Sequence, residues 1–159
     1  MRTARDIYQS NLDAVSQFLW QRDVVGMLDH IALPNMMLTM DAQVVISTRD
    51  EMAEAMNRFR DHLESIRAES YHRICQDAKF LGPERETILG WHTTYILRGG
   101  TYLIEPVSNQ MTLMLIGGRW KGVRLETATL VSDCPSVSPE MAARQRLGQA
   151  GRDTRGLPS

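Results

Sequence analysis

Residues 48–81 read TRDEMAEAMNRFRDHLESIRAESYHRICQDAKFL and contain the change in periodicity that decides the fold. Thr48 and Glu51 form a capping-box pattern, and apolar residues then recur at i, i+3, i+4 and i+7 up to Ile66, which predicts an amphipathic helix. From Ser70 to Leu81 the pattern is instead typical of a β-strand. The chain therefore changes from helices to strands between residues 66 and 70.

Two more helices are predicted before this point. The first runs from Ala4 to Trp20 and carries apolar side chains along one face. Asp23 is placed to cap a shorter second helix, which must stop near Leu33 because Pro34 disfavours helix in the residue before it. All three predicted helices thus lie in the first part of the chain.

Six strands are predicted around and after the third helix. A hairpin precedes that helix, with strands at Met36–Met40 and Gln43–Ile46 and a turn near Asp41. The connection at residues 99–109 is long, and Tyr102–Ile104 is interpreted as a lid or a short edge strand. This order indicates a curved sheet wrapped round helices, which is an α+β fold. The four longer strands are predicted at residues 70–81, 86–98, 110–116 and 120–131.

Length and composition fit one globular domain. A chain of 159 residues leaves little room for a second core, and contents of 43% hydrophobic and 23% charged residues are near the average for globular proteins. We predict a single domain over residues 1–135. Residues 136–159 contain four arginines against two acidic residues. That segment is predicted to be a basic, largely disordered tail with room for one or two helical turns at Pro139–Leu147, and residues 139–159 are expected to be dispensable.

Charge, hydropathy and cysteine content exclude several classes of function. The formal net charge is −1, which argues against a nucleic-acid partner. No stretch approaches about 18 apolar residues, the length of a membrane-spanning helix. Cys75 and Cys134 are too few and too far apart for a disulfide framework, so a cytoplasmic location is expected. No HxxxH, HExxH or GxGxxG pattern occurs, and we therefore predict neither a metal site nor a cofactor.

Two of the long strands are apolar at both parities. Met111–Ile116 and Ile88–Leu97 carry large apolar groups at neighbouring positions, and a strand of this kind must be covered on both faces. The helices can cover only the concave face of the sheet, so the convex face is predicted to form a homodimer. The residues expected to be buried between the two copies are Trp91, Tyr95, Leu113 and Leu115.

The order and spacing of three stretches resemble a known family. The stretches are Phe18–Asp23 with Met27–His30, then Thr48–Phe59, and finally Arg119–Lys121. Their order and spacing resemble those of the nuclear transport factor 2-like superfamily, of the SnoaL-like kind, and the resemblance covers about residues 4–129. The resemblance implies a cone-shaped α+β barrel, in which three N-terminal helices pack in the concave face of a strongly curved, mixed and mostly antiparallel sheet.

The resemblance also implies a function class. Members of the family bind small molecules in an apolar pocket at the mouth of the cone, and they usually dimerise. We therefore expect a small-molecule-binding protein that is a lyase or isomerase, of the dehydratase, cyclase or ketosteroid-isomerase type, acting on an apolar substrate. The alternative is a non-catalytic ligand-binding or dimerisation module.

The candidates for catalysis are Tyr8, Asp41, His72 and His92. The resemblance implies that Tyr8 and Asp41 fill two positions of the steroid-isomerase pattern, while Asn109–Ile116 contains no third acid. The dehydratases of the family combine Tyr and Asp with a histidine on the sheet, where His72 and His92 both lie. The alternative roles are a core tyrosine, a turn aspartate, an exposed strand histidine and an interface histidine.

The side-chain direction of His72 decides whether it can act as a base. It alternates with Ile74, Ala78 and Phe80, which favours a general base inside the cone. With Pro83-Glu84 at the centre of the loop, His72 and the second strand histidine face opposite sides of the sheet. A register slip of one residue would place both on the same side.

Pocket-lining residues are expected among the aromatic and methionine side chains. Ten methionines are present, and flexible thioethers suit a pocket for apolar ligands, although ordinary core filling is the alternative. Gly122 stands where the family normally has a large apolar residue, and it either enlarges the pocket or marks a bulge. The expected lining residues are Trp20, Met36, Met56, Phe59, Trp91, Tyr95, Met114 and Trp120.

Overall fold

Three helices come before the long strands in the computed structural model, which describes residues 2–145. Helix α1 is Ala4–Gln21, α2 is Val24–Met27 and α3 is Arg49–Ser65. Helices α1 and α3 both start with a capping box, and that of α3 is formed by Thr48 and Glu51 as predicted. The boxes satisfy backbone N–H groups that the first turn of a helix leaves unpaired.

The second helix is shorter than the sequence predicts. Asp23 caps it as expected, because its carboxylate accepts a hydrogen bond of 3.0 Å from the Gly26 amide. The helix nevertheless ends at Met27, because the following residues pair with the last strand of the sheet, where Ile31 lies opposite Gly122. Pairing within the sheet thus overrides the local helical pattern.

Seven strands form one open sheet in the order β2-β1-β7-β6-β4-β3, with β5 paired to β4. The β1–β7 pair is parallel and the other pairs are antiparallel. The predicted α+β class with a mixed, mostly antiparallel sheet is confirmed. Since β2 and β3 end the strand order, the expected barrel does not close. The strands are β1 Ile31–Leu38, β2 Gln43–Ile46, β3 Ser70–Leu81, β4 Thr87–Arg98, β5 Thr101–Tyr102, β6 Val107–Ile116 and β7 Arg119–Thr127.

A bulge in β3 changes which side chains face the helices. The pairing of β3 with β4 shifts between Cys75 and Asp77, so an extra residue reverses the alternation there. Arg73 and Cys75 are buried before the bulge, and Ala78 and Phe80 pack against the core beyond it. Regular alternation therefore gives the wrong face for one half of the strand.

Helix α1 is attached to β3 by the side chain of Gln9. Its Nε2 donates to the Arg73 carbonyl at 2.9 Å, and its Oε1 accepts from the Cys75 amide at 2.8 Å. Arg5 also donates to the Gln76 carbonyl. These bonds satisfy backbone groups of a strand that has a partner strand on one side only.

Two clusters of buried side chains fill the space between helices and sheet. One lies where α1 meets the middle of the sheet and contains Tyr8, Leu12, Ile88 and Leu113. Leu113 was expected on the convex face, but it shares the inward parity of Met111 along β6 and is completely buried. The other cluster contains Val15, Leu19, Met27, Val44, Ile46, Met52, Ala55 and Met56, together with residues beyond β7.

The chain continues to pack on the body after β7. A 3₁₀ turn spans Val131–Asp133, and residues 139–145 are helical (α4). Val137, Met141 and Ala142 are buried in the second cluster. The expected tail boundary at residue 136 therefore needs correction, because the packed body extends at least to residue 145. The remainder of the predicted tail, residues 146–159, lies outside the described residues.

We expect Met141→Ala to lower the free energy of unfolding by about 2–5 kcal/mol, because it removes a buried side chain and leaves a cavity. Met40→Ala is the matched control, since Met40 is 70% exposed and its truncation should change stability by no more than about 0.5 kcal/mol. Urea denaturation measures both. Equal stability of Met141→Ala and the unmodified protein would show that α4 contributes nothing to the body.

Candidate functional site

Two adjoining cavities lie between the helices and the concave face of the sheet. The helix-side cavity, of about 120 Å³, is bounded by α1, α3, β1 and β7. The sheet-side cavity, of about 280 Å³, is bounded by β3, β4, β6, β7 and residues 133–136. The residues common to both walls are Met37, Phe59, Tyr71, Arg73, Leu125 and Ser136.

Gly122 lines the helix-side cavity and also lies beside an irregularity of the sheet. Thr112 pairs with Arg124 and Leu113 with Gly122, so β7 has one extra residue at this point. A Cβ atom at Gly122 would meet the Met111 sulfur at 3.5 Å, which is ordinary van der Waals contact. Both interpretations of this glycine, a larger pocket and a bulge, therefore apply.

Tyr8 and His92 form a buried hydrogen-bonded pair at the wall of the sheet-side cavity. The Tyr8 hydroxyl lies 2.6 Å from His92 Nδ1, and both side chains are almost completely buried. The pair requires a glycine beside it, because a Cβ atom at Gly90 would lie only 2.3 Å from the Tyr8 ring. The sequence indicated the two polar residues but gave no sign that Gly90 lets them meet.

Burial keeps both members of this pair neutral near pH 7. Desolvation, with a smaller effect from the positive charge of Arg73, lowers the pKa of His92 to about 3. Desolvation raises the pKa of Tyr8 above its ordinary value. Only one proton lies between the hydroxyl oxygen and Nδ1. His92 Nε2 and Asn109 Oδ1, on directly opposed residues, have no hydrogen-bond partner among the described residues.

Arg73 is the functional candidate that sequence reasoning missed. It is 9% exposed and lines both cavities. Its Nε donates to Ser16 Oγ at 2.9 Å and its Nη2 to the Leu12 carbonyl at 3.1 Å, so α1 fixes its direction. A usable signal was its alternation with Tyr71 and Cys75, which would have placed it inward once the bulge was recognised.

His72 is not brought to the cavities, contrary to expectation. It is exposed and pairs with Tyr95, whereas His92 faces the helices. The two histidines therefore lie on opposite sides of the sheet, as the register centred on Pro83-Glu84 indicates. The alternation that favoured an inward His72 spanned the bulge of β3, so it combined residues from both faces.

Asp41 lies in the exposed turn between β1 and β2 and away from the cavities. Its Oδ1 accepts hydrogen bonds from the Val131 amide at 2.8 Å and from Thr39 Oγ1 at 3.0 Å. These bonds connect the hairpin to the 3₁₀ turn after β7. Asp41 therefore has the turn role, which was the alternative to catalysis.

Two of the eight expected lining residues, Met56 and Phe59, line a cavity. Trp20 lies in a surface groove, where the guanidinium of Arg60 is 4.1 Å from its ring centroid. Trp120 packs beside Phe80 instead. The other four, Met36, Trp91, Tyr95 and Met114, belong to the strand positions that face away from the helices, and neither cavity contains them.

The described residues contain no group of three or more His, Cys, Asp or Glu side chains placed to hold a metal ion. Within residues 2–145, no helix has both the length and the apolar character needed to cross a membrane.

Comparison with known proteins finds solved structures with a similar fold, but their sequences differ widely from this one. No family model matches the chain, and no curated protein matches it. A domain of unknown function with a cystatin-like fold from Nostoc punctiforme PCC 73102 superimposes with a TM-score of 0.61 at 11% identity, covering 99% of this chain and 100% of that one. An NTF2-like protein with a cystatin-like fold from Novosphingobium aromaticivorans gives 0.56 at 13% identity, covering 84% and 86%.

An NTF2-like protein of unknown function from Shewanella oneidensis MR-1 is similar as well. It superimposes with a TM-score of 0.57 at 10% identity, covering 77% of this chain and 97% of that one. Identities at this level show the fold alone.

The stability of the protein should fall as the pH decreases below the ordinary pKa of histidine. The pKa of His92 is about 3 in the folded state, against 6.5 ordinarily, so between these values the unfolded chain binds more protons. We expect the free energy of unfolding to fall by about 2 kcal/mol more between pH 7 and pH 4.5 in the unmodified protein than in His92→Gln. Urea denaturation at both pH values measures this.

The exposed histidine supplies the control for that experiment. His72→Gln should keep the pH dependence of the unmodified protein, because it leaves the buried Tyr8–His92 pair in place. An undiminished pH dependence in His92→Gln would contradict the assigned environment of His92.

Proposed function

Starting from the fact that the chain has the nuclear transport factor 2-like fold, we propose that it binds a small, largely apolar molecule inside the concave face of its sheet. The observation that carries the proposal is the pair of adjoining cavities, which remain unfilled although helices and sheet pack closely around them. Small-molecule sites are usually clefts or cavities lined mainly by apolar side chains with a few polar groups. A solvent-connected cavity of about 280 Å³ beside one of about 120 Å³, lined in this way, therefore supports a binding site.

The cavity walls suit an apolar ligand. Aliphatic, aromatic and thioether side chains form most of the helix-side wall, and thioethers adapt to ligands of different shape. Small-molecule sites usually measure about 300–1,000 Å³, and the two cavities lie at or below the lower end of this range. A compact ligand fits better than a polycyclic one. The methionines of this wall are Met27, Met37, Met52, Met56 and Met111.

A lyase or isomerase activity is the second candidate, and the Tyr8–His92 pair is the observation that favours it. Two ionisable groups meet there within hydrogen-bond reach. An imidazole whose conjugate acid has a pKa of about 3 is a weak base at pH 7, although it can still donate a hydrogen bond as a neutral group. Among the described lining residues the one carboxylate is Asp133, which is exposed. The geometry therefore supports binding more strongly than acid–base catalysis.

Replacing Gly122 tests the use of the helix-side cavity. A leucine side chain would extend from Gly122 into the cavity and occupy the space of the ligand. We expect Gly122→Leu to weaken the binding of a compact neutral probe such as octan-1-ol at least tenfold, as measured by isothermal titration calorimetry. Gly122→Ala is the matched control and should bind like the unmodified protein, because its Cβ meets no atom closer than 3.5 Å.

Circular dichroism establishes that both Gly122 variants are folded. Equal binding of the probe by folded Gly122→Leu and by the unmodified protein would mean that the cavity is not the site.

We also propose a homodimer through the outer face of the sheet, defined by Ile74, Leu89, Trp91, Tyr95 and Met114. These residues follow one face of β3, β4 and β6, and Ile74 and Met114 are 46% and 42% exposed. An apolar face of this kind is typical of an interface between proteins.

We also propose a cytoplasmic location, which fits the free thiols of Cys75 and Cys134.

Light scattering at micromolar concentration should give about twice the monomer mass if this interface forms. A charge at its centre should separate the copies, so Trp91→Asp is expected to run as a monomer. Val25→Asp is the control, because Val25 is a 58% exposed apolar residue of α2 outside this face. A monomeric unmodified protein would exclude the dimer.

A further inference from the structure

Arg73 differs from the ion-paired arginines of the structure in having no anionic partner among the described residues. Arg22, Arg60, Arg119, Arg124 and Arg144 all have a carboxylate oxygen within 4.0 Å. Arg73 is the one charged residue among the buried residues described, and no described carboxylate lies within that distance of it. A charge removed from water is unfavourable unless something compensates it. Within residues 2–145, therefore, no carboxylate compensates this cation at the wall of the cavities, and its nearest aromatic neighbour is the Tyr71 ring, 5.8 Å from the guanidinium.

The hydrogen bonds of the guanidinium leave one side of it available. Arginine carries five N–H donors in a fixed plane. One donor on Nε and one on Nη2 are used by Ser16 Oγ and the Leu12 carbonyl. The remaining donors, including both on Nη1, have no acceptor among residues 2–145. Nη1 is not sealed within the protein, and Arg73 lines both cavities as well as the surface groove beside Trp20.

Neighbouring groups respond to this positive charge. After desolvation, which is the larger effect in each case, Arg73 lowers the pKa of His92, Tyr8 and Tyr71. The exposed Asp133 lies at the outer rim of the sheet-side cavity, where solvent screens it. The interior of the site is thus electropositive as well as apolar, a combination that suits one anionic group on an apolar body.

We infer that the ligand of this site is an apolar monocarboxylate whose carboxylate binds the free side of the Arg73 guanidinium, with its hydrocarbon part in the two cavities. This rests on the proposed binding function and specifies its substrate class. The planar carboxylate matches the fork of N–H donors on the guanidinium. It also supplies the negative charge that no described residue places beside Arg73. Helix α1 holds the guanidinium in place before the ligand arrives, so little order is lost on binding.

Matched ligands test the inference without any variant. Isothermal titration calorimetry at pH 7 compares octanoate with octan-1-ol, which has the same chain length and no charge. We expect octanoate to bind at least tenfold more tightly. Equal affinities would overturn the anchoring role of Arg73 and leave the proposed binding function standing, whereas failure of both to bind would overturn the proposed function as well.

Variants of Arg73 then test whether this residue causes the preference for octanoate over octan-1-ol. Arg73→Met should remove the preference for octanoate while octan-1-ol binds as before, and Arg73→Lys should retain part of it. Arg60→Met is the control, because the Arg60 side chain is only 14% exposed, lies beside Trp20 and lines neither cavity. Circular dichroism checks that each variant is folded. An unchanged octanoate preference in folded Arg73→Met would overturn the inference.

Discussion

The position of α1 on the concave face of the sheet is the constraint on which the rest of the structure depends. Polar contacts fix the helix at three levels. Gln9 bonds to the backbone of β3, Asn11 Nδ2 donates to the carbonyls of His30 and Trp120 at 3.0 and 3.3 Å, and Tyr8 meets His92. Hydrogen bonds have strict geometry, so these contacts determine both the rotation and the height of the helix. The same helix supplies the two acceptors that orient Arg73, and binding chemistry therefore depends directly on how α1 packs.

The architecture could be predicted from the sequence because it depends on patterns that are local. The capping box of α3, the hairpin before it and the turns between long strands each involve residues that are close in the chain. The α+β class and the helix order followed from them, whereas the mixed sheet was implied by the family resemblance. The second helix was overestimated for a non-local reason, since the residues after Met27 pair with a strand that is formed much later in the sequence.

The candidate site was less predictable because it depends on side-chain direction. One extra residue in β3 reverses the faces of the strand, so His72 was assigned inward and Arg73 was overlooked. A bulge has no reliable sequence signature, and its effect extends along the whole strand. Tyr8 and His92 were identified correctly as candidates, but their contact needs the missing side chain at Gly90, which only the packed structure reveals.

A glutamine side chain forms hydrogen bonds with the backbone of each edge strand of the sheet. At β2 the Gln145 side-chain amide accepts from the Val45 N–H at 2.8 Å and donates to the Val45 carbonyl at 2.7 Å. At β3 the Gln9 side-chain amide donates to the Arg73 carbonyl and accepts from the Cys75 N–H. A primary amide has one donor side and one acceptor side, as a peptide unit does, so each glutamine imitates a short piece of an additional strand. Unpaired strand edges are templates for uncontrolled addition of further chains. The two glutamines therefore protect this open sheet against edge-to-edge aggregation, which a closed barrel avoids by having no edges.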